Sequence, residues 1–161
     1  MGILQEIAEY RLHWEGLEVG QSFVTPARTV TEADIVAFAG LSGDYNALHT
    51  DLEFASGTIH GQRIAHGLLV LAITSGLSTR LPVMKAMETT LIGLAELRCR
   101  WRKPTFIGDT IRVELAVVEK AESKKPDRGT IVLRRTAKNQ HGDTLMESDW
   151  SLVVKREGAT A

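Results

Sequence analysis

The stretch from Gly67 to Leu81, GLLVLAITSGLSTRL, constrains the fold more than any other. Leu68, Leu69, Val70, Leu71, Ala72, Ile73 and Leu77 put apolar side chains on every side of any helix it forms. A helix that is apolar all round must be covered by other structure, and Pro82 ends it. The material to cover it follows at once. Leu91 to Trp101 alternates late in its course, with Leu97, Cys99 and Trp101 against Arg98, Arg100 and Arg102. Thr110 to Val118 sets Ile111, Val113, Leu115 and Val117 against Arg112, Glu114 and Ala116. Thr130 to Ala137 and Leu145 to Val154 complete the run, parted by the turn Asn139-Gln140-His141-Gly142-Asp143. Short connections argue for an antiparallel sheet, so the pattern predicts an α+β domain whose sheet wraps a central buried α-helix.

The first half is more varied. Met1 to Leu12 has helical spacing at Ile3, Leu4, Ile7, Ala8 and Leu12. Ser22 to Val30 reads as a strand interrupted at Pro26. Thr31 is an N-cap candidate ahead of the acidic first-turn residues Glu32 and Asp34, and the helix through Leu41 stops at Ser42-Gly43. Gly43 to His66 carries little periodicity and many turn formers, which predicts a mostly irregular segment. Tyr45, Leu48, Leu52, Phe54 and Ile59 offer it anchors, and an ordered connection of that length is usually functional. The tail from Glu157 to Ala161 is expected to fray.

At 161 residues the chain fits a single domain, residues 1–161. A net charge of −1 gives no broad electrostatic case for nucleic acid or an anionic membrane. The longest apolar run, Leu68 to Ile73, falls far short of the ~20 residues that cross a bilayer. The first residues lack the layout of a secretory signal. The lone Cys99 cannot close an intrachain disulfide and suits a reducing compartment. A cytoplasmic protein is the expectation.

The residues that carry chemistry lie in Ser42-Gly43-Asp44-Tyr45-Asn46-Ala47-Leu48-His49 and Ala65-His66-Gly67-Leu68-Leu69. Asp44 and His49 are five residues apart, about 140° apart on a helix and on opposite faces of a strand. Only a bend lets both reach one point, and Gly-Asp-x-Asn supplies turn chemistry. A carboxylate and an imidazole can move protons near neutral pH. Equally, an Asp in such a turn commonly binds backbone amides and a His commonly packs. Gly67 stands where the buried helix should begin, where free N–H groups favour negative charge. Such a donor on an oxyanion is worth ~3–4 kcal/mol, although glycine there also permits close packing. No histidine–carboxylate cluster with metal-ligand spacing is visible in the linear sequence.

Taken together, these motifs resemble the MaoC-like family of hot dog-fold hydratases, including the (R)-specific enoyl-CoA hydratases. The similarity runs from about Glu32 to Gly76, with weaker agreement at Leu17–Gly20 and Lys103–Asp109. The specific part is Ser-Gly-Asp-Tyr-Asn-x-Leu-His followed by His-Gly-Leu-Leu; the usual proline before Leu-His is Ala47 here. The resemblance implies that Asp44 and His49 form the catalytic dyad and that the Gly67 N–H receives the thioester carbonyl. It implies that Ser75 matches the active-site serine, close to the dyad, that Asn46 orders the loop, and that His66 has a structural rather than a catalytic role. The reaction implied is reversible hydration of an enoyl thioester, with coenzyme A or a carrier as part of the substrate, no cofactor and no metal. It also implies a homodimer or larger oligomer.

Arg98, Arg100 and Arg102 either meet coenzyme A phosphates or mark the solvent face of a strand. Cys99 reads as a small apolar residue, and His13, His60 and His141 carry no argument. Two rival readings share the fold: an acyl-CoA thioesterase and a non-catalytic acyl-CoA-binding module.

Overall fold

The computed structural model describes residues 2–159. The chain opens with α1 (Ile3–Glu9), a single 3-10 turn at Trp14–Gly16, and two short strands, β1 (Ser22–Val24) and β2 (Arg28–Thr29). The predicted strand Ser22–Val30 is therefore two pieces on either side of Pro26, both antiparallel to the same later strand. Proline lacks the N–H that a continuous ladder needs. Of the predicted first helix, Met1 and the side chains of Leu4, Ile7 and Ala8 lie outside the described residues, as do the last two residues of the tail.

Next comes α2 (Glu32–Ser42), opened by a reciprocal cap. Thr31 accepts from the Asp34 N–H, and the Asp34 carboxylate accepts from the Thr31 N–H and hydroxyl. The segment expected to be mostly irregular contains two short helices, α3 (Ala47–Thr50) and α4 (Leu52–Ser56). Helices of this length cannot display a 3.6-residue period. Their caps are the polar residues that read as turn formers: Asn46 accepts from the Leu48 N–H and Asp51 from the Phe54 N–H. Helix α5 (Gly67–Ser78) ends three residues before the predicted limit, and α6 (Pro82–Ala86) starts on a proline at its first position.

Four long strands follow: β3 (Leu91–Trp101), β4 (Thr110–Glu122), β5 (Arg128–Lys138) and β6 (Thr144–Lys155). The sheet order is β1–β4–β5–β6–β3 with β2 also on β4, and every pairing is antiparallel. This is the α+β hot dog architecture. The inward residues Ile111, Val113, Leu115 and Val117 of β4 and Ile131, Leu133 and Ala137 of β5 are buried. They divide between two apolar clusters, one under α5 and one toward α6 and the Trp14 turn.

Helix α5 buries Leu69, Val70, Ile73, Thr74, Leu77 and Ser78. Its other side is not covered: Leu68 is 59% exposed, and Ala72 and Gly76 are exposed. The sheet therefore covers one side of α5, as expected, and leaves the other side of the helix open in the single chain. One sheet can curve around only one side of a helix. The open side and α2 form an apolar groove of about 400 Å³ lined by Ala37, Phe38, Leu41, Ala72 and Gly76.

The cap of α2 has a pH signature. Burial would raise the pKa of Asp34, but the Thr31 N–H and hydroxyl and the Arg28 guanidinium outweigh it and hold the carboxyl below its ordinary value. Its contribution is therefore full above the unfolded pKa and is lost as pH falls through the folded one. Asp34→Asn should cost about 1–2 kcal/mol at neutral pH. In chemical denaturation, the gap to the parent should close as the pH falls below about 4.

Candidate active site

Helix α2 stops because Gly43 takes the left-handed conformation, φ 75°, with its N–H on the Ala39 carbonyl. Only glycine adopts that region without a Cβ penalty. From there hydrogen bonds fold the chain back on itself. The Ser42 hydroxyl donates to Phe38 O at 2.7 Å and accepts from the Asp44 N–H at 3.2 Å. Asp44 Oδ1 accepts from the Asn46 N–H at 3.2 Å, and Asn46 in turn caps α3. Asn46 thus uses its side-chain oxygen to order the loop.

This bend brings together what the linear chain separates. One side-chain donor or acceptor atom from each of Asp44, His49 and His66 lies within 4.8 Å of the other two. Linear spacing showed no ligand cluster, yet the fold makes this one histidine–carboxylate group with metal-ligand reach among the described residues. Asp44 is exposed, His49 half-buried and His66 buried. His49 Nδ1 lies 2.8 Å from the Ile64 carbonyl. A carbonyl only accepts, so Nδ1 carries the proton, and Nε2 of the neutral ring holds the free lone pair. The rings of His49 and His66 stack at 3.8 Å, and Phe38 packs on His66 at 5.0 Å. His66 Nε2 donates to the Asp44 carbonyl at 2.9 Å, and its Nδ1 is buried without a partner.

His66 is also the residue before α5, so the group that holds the Asp44 backbone sits beside Gly67. The Gly67 N–H, at the first helical position, has no intrahelical acceptor. The Gly67 carbonyl accepts from Trp101 Nε1 at 2.9 Å, and a Cβ on Gly67 would come within 2.7 Å of that nitrogen. Glycine is required here by the indole of β3. A cavity of about 340 Å³ opens beside these groups, lined by His49, His60, Gly67, Val70, Trp101 and Lys103 among others. Sequence reasoning assigned His60 no part, and no local signal marks it. Its place follows from the loop's path. Trp101 was legible as an apolar strand residue alternating with arginines, but neither its 49% exposure nor its contact with Gly67 was.

Ser75 is half-buried on α5, about 12 Å along the helix axis from Gly67. Among the described residues, no side-chain hydrogen bond joins it to Asp44 or His49. Arg98 and Arg100 of β3 and Arg102 just beyond it are exposed; Arg98 pairs with Glu96 and Arg102 with Glu147. With Arg134 they line a polar groove of about 400 Å³.

Residues 16–139 match the model of the MaoC like domain family. The chain is 32% identical over 147 residues to an (R)-specific enoyl-CoA hydratase of Rhodospirillum rubrum, covering 91% of this chain and 94% of that protein. It is 38% identical over 114 residues to Protein MaoC of Klebsiella aerogenes, 71% of this chain but only 33% of that longer protein. Its fold is similar to the crystal structure of the MaoC-like dehydratase from Rhodospirillum rubrum, with TM-score 0.81, 33% identity and coverage of 91% and 98%. A Mycobacterium tuberculosis protein described as a double hotdogfold shares the fold at TM-score 0.77 and 21% identity, over 94% of this chain and 46% of that one.

Replacing Gly67 by alanine should push the Trp101 indole off the helix end and break its bond to the Gly67 carbonyl. Overpacking of this kind costs ~1–3 kcal/mol. Thermal unfolding should show the loss, and tryptophan fluorescence should show a more solvent-exposed indole.

Proposed function

As the chain belongs to the MaoC-like domain family, we propose that it is a hydro-lyase that reversibly hydrates an enoyl thioester to a 3-hydroxyacyl thioester, with coenzyme A as the carrier. The observation that supports this most is the grouping of one atom each of Asp44, His49 and His66 within 4.8 Å of one another, with His49 and the helix-starting Gly67 both lining the adjacent cavity.

The chemistry follows from those groups. Asp44 and His49 hold one water between them. As its oxygen bonds to C3 of the alkene, His49 Nε2 takes one of its protons and Asp44 accepts a hydrogen bond from the other. Charge then builds on the thioester oxygen as an enolate, which the Gly67 N–H meets at the positive end of α5. The proton on His49 passes to C2 on the same face, giving syn addition and restoring the neutral ring. Dehydration is the reverse. His66 acts by position, through the Asp44 carbonyl and the stack beneath His49. Ser75 lies farther along α5, on the acyl side.

A second copy of the chain covers the open side of α5 in this reading. The support is the apolar groove between α2 and α5, lined by Leu41, which is 84% exposed, together with the free edge of β3. Among the described residues, no helix is long and apolar enough to cross a membrane. Cys99 is a free thiol, which fits the reducing cytoplasm where we place the enzyme.

Crotonyl-CoA should be hydrated to the (R)-3-hydroxy product without release of free thiol. Thiol release with the alkene intact would mean a thioesterase instead. Asp44→Asn and His49→Ala should each lower kcat by ~10²–10⁴, with unchanged circular dichroism. Binding of acyl-CoA without turnover by the parent protein would leave only a binding module. For the assembly, sedimentation equilibrium should show a dimer that Ala72→Glu dissociates. A parent protein that sediments as a monomer would refute the second copy.

A further inference from the structure

Arg135 is a cation in the core. On β5 it stands between Leu133 and Ala137 on the inward face, and only 2% of its surface is exposed. Its guanidinium lies over the Trp150 ring at 3.8 Å. Nε and Nη1 are nevertheless buried without a hydrogen-bond partner. None of the ion pairs among the described residues includes it. Burial lowers its pKa to about 10, which leaves it charged at neutral pH. An unpaired charge is among the costliest things a core can hold. Trp150 offers a π-face, but a π-face accepts no N–H in the guanidinium plane.

The sheet register shows where this cation lies relative to the cavity. Arg135 is opposite Ser148 on β6, and Ser148 is opposite Cys99 on β3. The next row toward the cavity is Ala137, Met146 and Trp101, and Trp101 is the residue seated on Gly67. The two rows are about 7 Å apart. On the helix side, Val70 lines the cavity and Thr74 comes one turn later, about 6 Å deeper. Thr74 is fully buried, and its hydroxyl also lacks a partner. The two apolar clusters part at this level: Ala137 and Met146 belong to one, Leu115 and Leu133 to the other. Arg135 and Thr74 thus lie one sheet row and one helix turn inward from residues that line the cavity, and each has buried polar atoms without a partner.

We infer that Arg135 receives a carboxylate on the acyl tail, so that the substrate is the monothioester of a dicarboxylic acid. The inference rests on the hydratase reading of the adjacent cavity, because that reading puts the thioester carbonyl at Gly67 and points the tail past Val70 and Trp101. A guanidinium is the side chain best matched to a carboxylate, and the Thr74 hydroxyl supplies a further donor. An alkyl tail of the same length would bury methyl groups against a charge and leave that charge unpaired. The site therefore selects by rejection as well as by attraction.

The test compares succinyl-CoA and butyryl-CoA, saturated thioesters of equal length that differ only at the tail end and do not react. By calorimetry the parent protein should bind succinyl-CoA about 100-fold more tightly. Arg135→Met should erase that preference, and Arg135→Lys, a point charge without the planar fork, should keep part of it. Equal or tighter binding of butyryl-CoA by the parent would overturn the inference without recourse to any variant. So would a preference that survives in Arg135→Met. A hydration assay with crotonyl-CoA and its carboxylated counterpart fumaryl-CoA keeps the two readings apart. If neither is hydrated while the succinyl-CoA preference holds and depends on Arg135, the tail site stands and the hydratase reading falls.

Discussion

The bond from His66 to the Asp44 carbonyl holds the rest of the site in place. His66 is the last residue before α5, and Asp44 is the first after the glycine that ends α2. The bond therefore joins the end of one helix to the start of the next across 22 residues of loop and short helix. Because His66 is buried, the bond is shielded from competing water and strengthened by its low-dielectric setting. The same ring supports His49 from below. One buried imidazole thus sets the position of both the exposed carboxylate and the half-exposed imidazole, without itself facing the cavity.

The second constraint is steric. Trp101 sits on Gly67 so closely that any side chain there would collide with the indole. The contact fixes the start of α5 against the edge strand β3, where Gly67 lines the cavity. Helix, edge strand and loop therefore meet at one corner of the sheet. That corner is also where α5 lacks cover on its outer side, so the site and the apolar groove share one helix.

Polar groups in this core are not spread at random. Arg135 and Ser148 on the sheet and Thr74 on α5 lie where the two apolar clusters part, and Arg135 is the one buried cation among the described residues. A core built for stability alone would fill such a seam with apolar side chains. Arg135 instead holds a charge there with two nitrogens unmet, which is a feature of recognition and not of packing.

Much of the fold could be read in the sequence because it follows from periodicity. Alternation marked an apolar face on β3 and β4, β5 and β6 were legible as strands parted by a turn, and the apolar run after Gly67 marked the helix that the sheet must cover. Thr31 as an N-cap was visible for the same local reason, whereas the answering bonds from Asp34 came with the structure. The short helices α3 and α4 were not, since four or five residues complete little more than one turn and leave no period to detect. The open side of α5 was also hidden, because an apolar face says that cover is needed and not which chain supplies it. The residue types of the site, Asp44, His49 and Gly67, were legible from their motifs, whereas His60, the Trp101 contact and the unpaired state of Arg135 were not. By itself the sequence determined the elements, their faces and the chemical groups on offer, all of which depend on neighbours within a few residues. Only the tertiary structure decided which groups meet and which buried atoms go without partners, because those outcomes depend on contacts between residues far apart in the chain.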